Sequence, residues 1–116
     1  MGELPPQVQN LVAQLQQLQQ QLQAVITQRA QVEALLRDTE QALEELQKVD
    51  DETPVYKAVG NILVKEKKED VIKELTEKKE TYEIRIKTLQ RQEEKLRERF
   101  AETQQKLQNL LSPQAG

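Results

Sequence analysis

Thr53-Pro54-Val55-Tyr56-Lys57-Ala58-Val59-Gly60-Asn61-Ile62-Leu63-Val64-Lys65 is the one stretch of this chain that does not read as helix. Two runs of strand composition, Val55–Val59 and Ile62–Lys65, flank the dipeptide Gly60-Asn61. A two-residue Gly-Asn connection between β-rich runs signals a tight hairpin, because Gly takes the positive φ such a turn demands and Asn tolerates it. The turn sets the register: Val59 opposite Ile62, Lys57 opposite Val64, Tyr56 opposite Lys65. One face then carries Val55, Val59, Ile62 and Val64, and the other Tyr56, Ala58 and Leu63. A lone two-stranded hairpin is marginal in water, and one that is apolar on both faces with open edges invites further strands. The stretch is expected to join with other subunits.

On either side the apolar residues follow helical spacing. Pro5-Pro6 suits a first helical turn. With Val8 as position a, the first run has a = Val8, Leu15, Leu22, Arg29, Leu36, Leu43 and d = Leu11, Leu18, Val25, Val32, Thr39, Leu46. Ten of those twelve positions are apolar, the pattern of a coiled-coil seam. An amphipathic helix lying on a globular core would show a wider stripe over a shorter run. Asp50-Asp51-Glu52-Thr53-Pro54 ends the helix, since the residue before a proline is pushed out of the α region. The second run has a = Ile72, Lys79, Ile86, Glu93, Phe100, Leu107 and d = Leu75, Tyr82, Leu89, Leu96, Thr103, Leu110, nine of twelve apolar. Asp70 stands near its start, where a carboxylate meets the positive end of the helix dipole. Pro113 and Gly116 close it.

The spacing predicts a mainly α protein of one domain over residues 1–116, with helices at 6–49 and 69–111 and a β-hairpin at 54–66. At about 1.5 Å per residue each helix is roughly 65 Å long. Equal helices about a hairpin let the second return along the first, giving a long antiparallel coiled-coil hairpin. Pairing residues whose numbers sum to a constant sets Thr39 opposite Lys79 and puts Arg29 and Glu93 in adjacent layers. Polar seam residues of this kind specify register at some cost in stability.

Composition bounds the function. The chain has 116 residues, 36% hydrophobic, 3% aromatic and 32% charged, with a net charge of −3. That balance gives no electrostatic case for nucleic acid or an anionic membrane. There is no Cys and no His, so thiol chemistry is excluded and the commonest acid–base and metal residue is missing. No signal-peptide pattern opens the chain, which leads to the expectation of a cytoplasmic protein. Enzyme candidates reduce to Asp50-Asp51-Glu52 and to Tyr56 beside Lys57. The acidic cluster reads as a helix end and loop, and no Gly-rich phosphate loop or metal motif accompanies it. Lys65-Glu66-Lys67-Lys68 reads as a solvated, edge-protecting charge run. No enzyme activity and no cofactor are expected.

Charge is unevenly spread. No ionisable side chain occurs from Leu4 to Gln28, and none from Leu107 to Gly116. The two neutral stretches are expected at the same end of the hairpin, away from the strands. Ten glutamines in residues 4–28 rule out a membrane span, which needs about twenty mostly apolar residues. Leu4 would face Gln114 with no seam partner, Val12 and Leu111 lie off the seam at e positions, and Val8 and Leu110 fall in the last layer, where helices fray. An exposed apolar patch rimmed by neutral amides marks a binding surface.

The whole chain, and the Thr53–Lys65 stretch most specifically, resembles the beta-type subunit of prefoldin. A single hairpin between two helices matches the beta type, whereas the alpha type carries two hairpins. The resemblance implies a hetero-hexamer of two alpha-type and four beta-type subunits, in which the hairpins assemble into intersubunit β-barrels and six coiled coils hang around a cavity. It implies an ATP-independent chaperone that captures unfolded polypeptides with the coiled-coil tips and delivers them to a group II chaperonin. Carried over by position, Val55, Tyr56, Val59, Ile62, Leu63 and Val64, with Gly60 at their turn, become assembly residues. Leu4, Val8, Leu11, Val12, Leu107, Leu110 and Leu111 become client contacts. The competing reading is a scaffolding coiled coil that self-assembles through its hairpins and handles no client.

Overall fold

The computed structural model describes residues 4–112. In chain order the elements are helix α1 (Pro6–Lys48), strand β1 (Val55–Val59), strand β2 (Ile62–Glu66) and helix α2 (Lys68–Leu111). The fold class is as expected: two long helices with one antiparallel two-stranded hairpin between them. Each helix starts or stops within a residue of the expected bound, α1 ending at Lys48 and α2 starting at Lys68. Pro113, Gln114 and Gly116 lie outside the described residues.

The chain divides into two compact units, a terminal unit of residues 4–29 and 88–112 and a central unit of Ala30–Lys87. In the terminal unit the two helical segments pack antiparallel, with Leu11 and Leu110, Leu18 and Thr103, and Val25 and Leu96 sharing depressions in turn. Val8, Leu18, Leu89 and Thr103 are its buried residues, and Leu89 is the one fully enclosed. In the central unit Thr39 and Ile86 are buried, and Leu36, Leu43, Leu46, Ile72, Leu75 and Tyr82 are half-buried along the same a and d stripes. Every a and d position is at least half-buried except Leu110. The heptad pattern therefore marks the side chains that leave water in both units.

The two threonines on the stripe are satisfied locally. Thr39 Oγ1 donates to the Leu35 carbonyl and Thr103 Oγ1 to the Arg99 carbonyl, each at 2.8 Å. A buried hydroxyl that bonds the carbonyl one turn back leaves no unpaired donor. Thr39 thus turns into its own helix, while Lys79 reaches sideways to Glu40 at 3.9 Å.

The hairpin pairs Val55 with Glu66, Tyr56 with Lys65, Lys57 with Val64, Ala58 with Leu63 and Val59 with Ile62. Gly60 has φ of 59° and no other described residue has a positive φ. Only the first turn residue uses the left-handed region, the pattern of a type II′ turn. Asn61 does not need its tolerance for positive φ. Before β1, Asp50 Oδ1 accepts from the Glu52 amide at 3.0 Å and the Thr53 hydroxyl at 2.9 Å. The acidic cluster is therefore a local turn that ends α1.

Candidate functional site

Two apolar surfaces stand out, one in each unit. In the central unit Val59, Ile62, Leu63 and Val64 are exposed, Ile62 at 62% and Leu63 at 71%. Tyr56 and Ala58 are exposed with them. The base of the hairpin is different, because Val55, Lys57 and Glu66 are half-buried. Lys57 Nζ donates to both carboxylate oxygens of Glu74 on α2, at 2.8 and 3.0 Å. This hydrogen bond holds the Glu74 carboxyl below its ordinary range, and the same bond raises the Lys57 ammonium above its own. The hairpin is thus tied to α2 at its base and bare toward its turn.

Lys68 departs from the expectation of a solvated charge run. Its ammonium donates to the Val49 carbonyl at 2.7 Å and pairs with Asp51 at 3.4 Å. It supplies a donor to a carbonyl just past the end of α1, where helices leave acceptors unpaired. Neighbouring charge gave no sign of this role, which depends on folding across the hairpin.

In the terminal unit Leu4, Leu110 and Leu111 are exposed, and Leu11, Val12 and Leu107 are half-buried. Val8 corrects the expectation of a frayed, open last layer. It is only 5% exposed. The start of α1 is held closed, with the Gln9 amide donating to the Pro5 carbonyl at 3.0 Å and Gln9 Nε2 to the Leu4 carbonyl at 2.7 Å. Leu11 and Leu110 line a depression of about 530 Å³ together with Gln7, Asn10, Lys106 and Asn109. Leu110 is exposed despite its d position because α1 starts at Pro6, leaving little helix to cover it.

Deeper in the same unit, Arg29 Nε donates to Glu93 Oε1 at 2.9 Å, with the Arg29 terminal nitrogen 2.8 Å from that oxygen. Glu93 Oε2 accepts from Arg97 at 3.0 and 3.1 Å. The Arg97 guanidinium, with Arg29 beside it, holds the Glu93 carboxyl below its ordinary range, and desolvation opposes them. Arg97 was not among the expected register residues, although its spacing four beyond Glu93 is the signal that finds it. Among the described residues, no cluster of three potential metal ligands occurs, and no helix is long and apolar enough to cross a membrane.

Comparison with known proteins agrees with this architecture. A sequence profile described as "Prefoldin subunit" matches residues 9–114. The prefoldin subunit beta of Methanosarcina acetivorans is 45% identical over 98% of this chain and 97% of its own length. That of Thermococcus onnurineus is 47% identical over the full length of both. The crystal structure of the prefoldin beta subunit from Thermococcus strain KS-1 superposes with a TM-score of 0.89, at 42% identity, covering 98% of this chain and all of that one. The paired long helices, the single hairpin and this end-to-end similarity together place the chain in the prefoldin family, among its beta-type subunits.

Proposed function

We propose that this chain is the beta-type subunit of a cytoplasmic, ATP-independent holding chaperone, assembled with an alpha-type partner as two alpha and four beta subunits. Membership of a chaperone subunit family supplies the general role. The observation that carries the finer reading is the presence of two apolar surfaces, each exposed in its own unit. Ordered proteins rarely leave such residues in water without a partner. The hairpin residues Val55, Tyr56, Val59, Ile62, Leu63 and Val64, with Gly60 at the turn, join subunits by extending a sheet. Leu4, Leu110 and Leu111, with the half-buried Leu11, Val12 and Leu107, hold unfolded polypeptide. Val8 contributes only if the last layer opens. Neutral amides around them suit weak capture, since a glutamine can bond a client backbone without the cost of desolvating a charge. Several weak contacts on one client add through effective concentration. The held chain is then passed to a group II chaperonin. Arg29, Thr39, Lys79 and Glu93 serve the register of the helix pair.

The test is a double variant, Val12→Ser with Leu110→Ser, co-expressed with an alpha-type subunit. We expect sedimentation to give an unchanged hexamer and delayed aggregation of an unfolded protein to be lost, without nucleotide in either assay. Undiminished holding by the variant defeats the capture assignment. A hexamer that never delays aggregation in the unaltered form leaves only a scaffold.

A further inference from the structure

We propose that one flank of the terminal unit is a groove for extended client segments that carry apolar and acidic side chains together. The inference rests on the holding function above and adds a substrate class to it. Three depressions follow one another along this flank. The first, about 530 Å³, is floored by Leu11 and Leu110; the second, about 150 Å³, by Leu18 and Thr103; the third, about 440 Å³, by Val25 and Leu96. All three lie on the same side of the seam, because every lining residue occupies a c, d or g position. On α1 the rim is neutral, with Gln7, Gln14 and Gln21 repeating every seven residues. On α2 the rim is cationic, with Lys106, Arg99 and Lys95.

No carboxylate lines any of the three. Glu94 and Glu98 neighbour Lys95 and Arg99 in sequence, and Glu102 stands on the c row of this same flank between Arg99 and Lys106, but none of the three lines a depression. Among the described residues, none of the three cationic side chains has a carboxylate within 4.0 Å. The opposite flank behaves differently: its depression is lined by Arg97, and that guanidinium is occupied by Glu93. A chain with an overall charge of −3 thus leaves one row of unengaged cations beside an apolar floor. Charge complementarity selects an acidic partner, since like charge is rejected and opposite charge is drawn in.

The spacing of the depressions refines the ligand. Floors seven residues apart along a helix are about 10 Å apart. A polyproline II chain, common in unfolded polypeptide, repeats every third residue at about 9 Å. An apolar side chain at every third residue therefore meets successive depressions, while acidic residues between them face Lys95, Arg99 and Lys106. The middle depression, the smallest, takes the smallest side chain.

The experiment uses the assembled hexamer and three photo-reactive peptides of one length. Each has Leu, Ala and Leu at every third position, with Glu, Gln or Lys between. Cross-linking yield and adduct position are read by mass spectrometry. We expect the Glu peptide to exceed the Lys peptide by about tenfold, as three exposed ion pairs warrant, with adducts in residues 7–25 and 92–110. Added salt should compress that ratio. The triple variant Lys95→Gln, Arg99→Gln, Lys106→Gln should bring it to about one. Equal yields in the unaltered hexamer, or adducts elsewhere, overturn the groove. So does a changed sedimentation of the triple variant, which would make the flank a contact between copies. If the unaltered hexamer still delays aggregation in those cases, the holding function survives and only its acidic preference fails. If it captures no peptide and delays no aggregation, both fall.

Discussion

At the scale of single residues, Gly60 and Leu89 show two ways a side chain can matter. Gly60 sits at φ of 59°, and a Cβ built there would meet nothing within 4 Å. The cost of Gly60→Ala is therefore conformational and set by no neighbouring atom, about 1–2 kcal/mol for forcing an L residue into the left-handed region. We expect a lower denaturation midpoint with hexamer stoichiometry retained, read by circular dichroism and sedimentation. Leu89 is fully enclosed. Leu89→Ala removes buried volume between helices and should cost about 2–5 kcal/mol, a loss visible as an earlier helical melt. Exposed Leu111 should tolerate the same change with little effect on that melt.

At the scale of elements, an ion pair ties the hairpin to α2. Glu74 titrates below its ordinary value and Lys57 above its own. The contribution of the pair is complete across the neutral range. It is lost as pH falls through the lowered Glu74 pKa, and again as pH rises through the raised Lys57 pKa. Glu74→Gln should flatten the acid side of a plot of thermal midpoint against pH and leave the slope on that side to the remaining carboxylates. An unaltered acid limb in the variant would remove Glu74 from the account.

The same elements show what the residues disclosed and what they withheld. The hairpin was legible to the residue because a two-residue turn leaves a single pairing open to Val59 and Ile62. The helices were legible because a seam of seven-residue period survives Arg29, Thr39, Lys79 and Glu93. The exposed face was legible in Leu110 and Leu111 but not in Val8, an end-layer residue that the fold buries. The roles of Lys68 and Lys57 were not legible in the residues around them. Their partners Val49 and Glu74 stand 19 and 17 residues away, beyond any local spacing rule. The cations of the flank were encoded in the g and c positions of the second run, opposite neutral g and c positions in the first, yet only packing shows that those positions border common depressions.

At the scale of the whole molecule, stability and assembly are joined. The β1–β2 sheet has few buried residues of its own, and its turn end is bare. Such a unit gains by mass action when copies associate. Ile62→Asp places a charge where a neighbouring sheet would lie, and burial of that unpaired charge is strongly unfavourable. We expect this variant to sediment as dissociated subunits and its thermal midpoint to lose any dependence on protein concentration. A hexamer that survives the aspartate would mean the subunits meet elsewhere.

The two-stranded sheet has a consequence for how many copies can gather. Each of its strands keeps one rim of amides and carbonyls unbonded to the other strand, so every copy that docks brings a fresh rim with it. A row built this way has no last member. Growth halts only when the row curls round and its final strand meets its first, or when a differently built partner occupies the remaining rim. Either ending caps the count, and a finite particle rather than a fibre is the outcome.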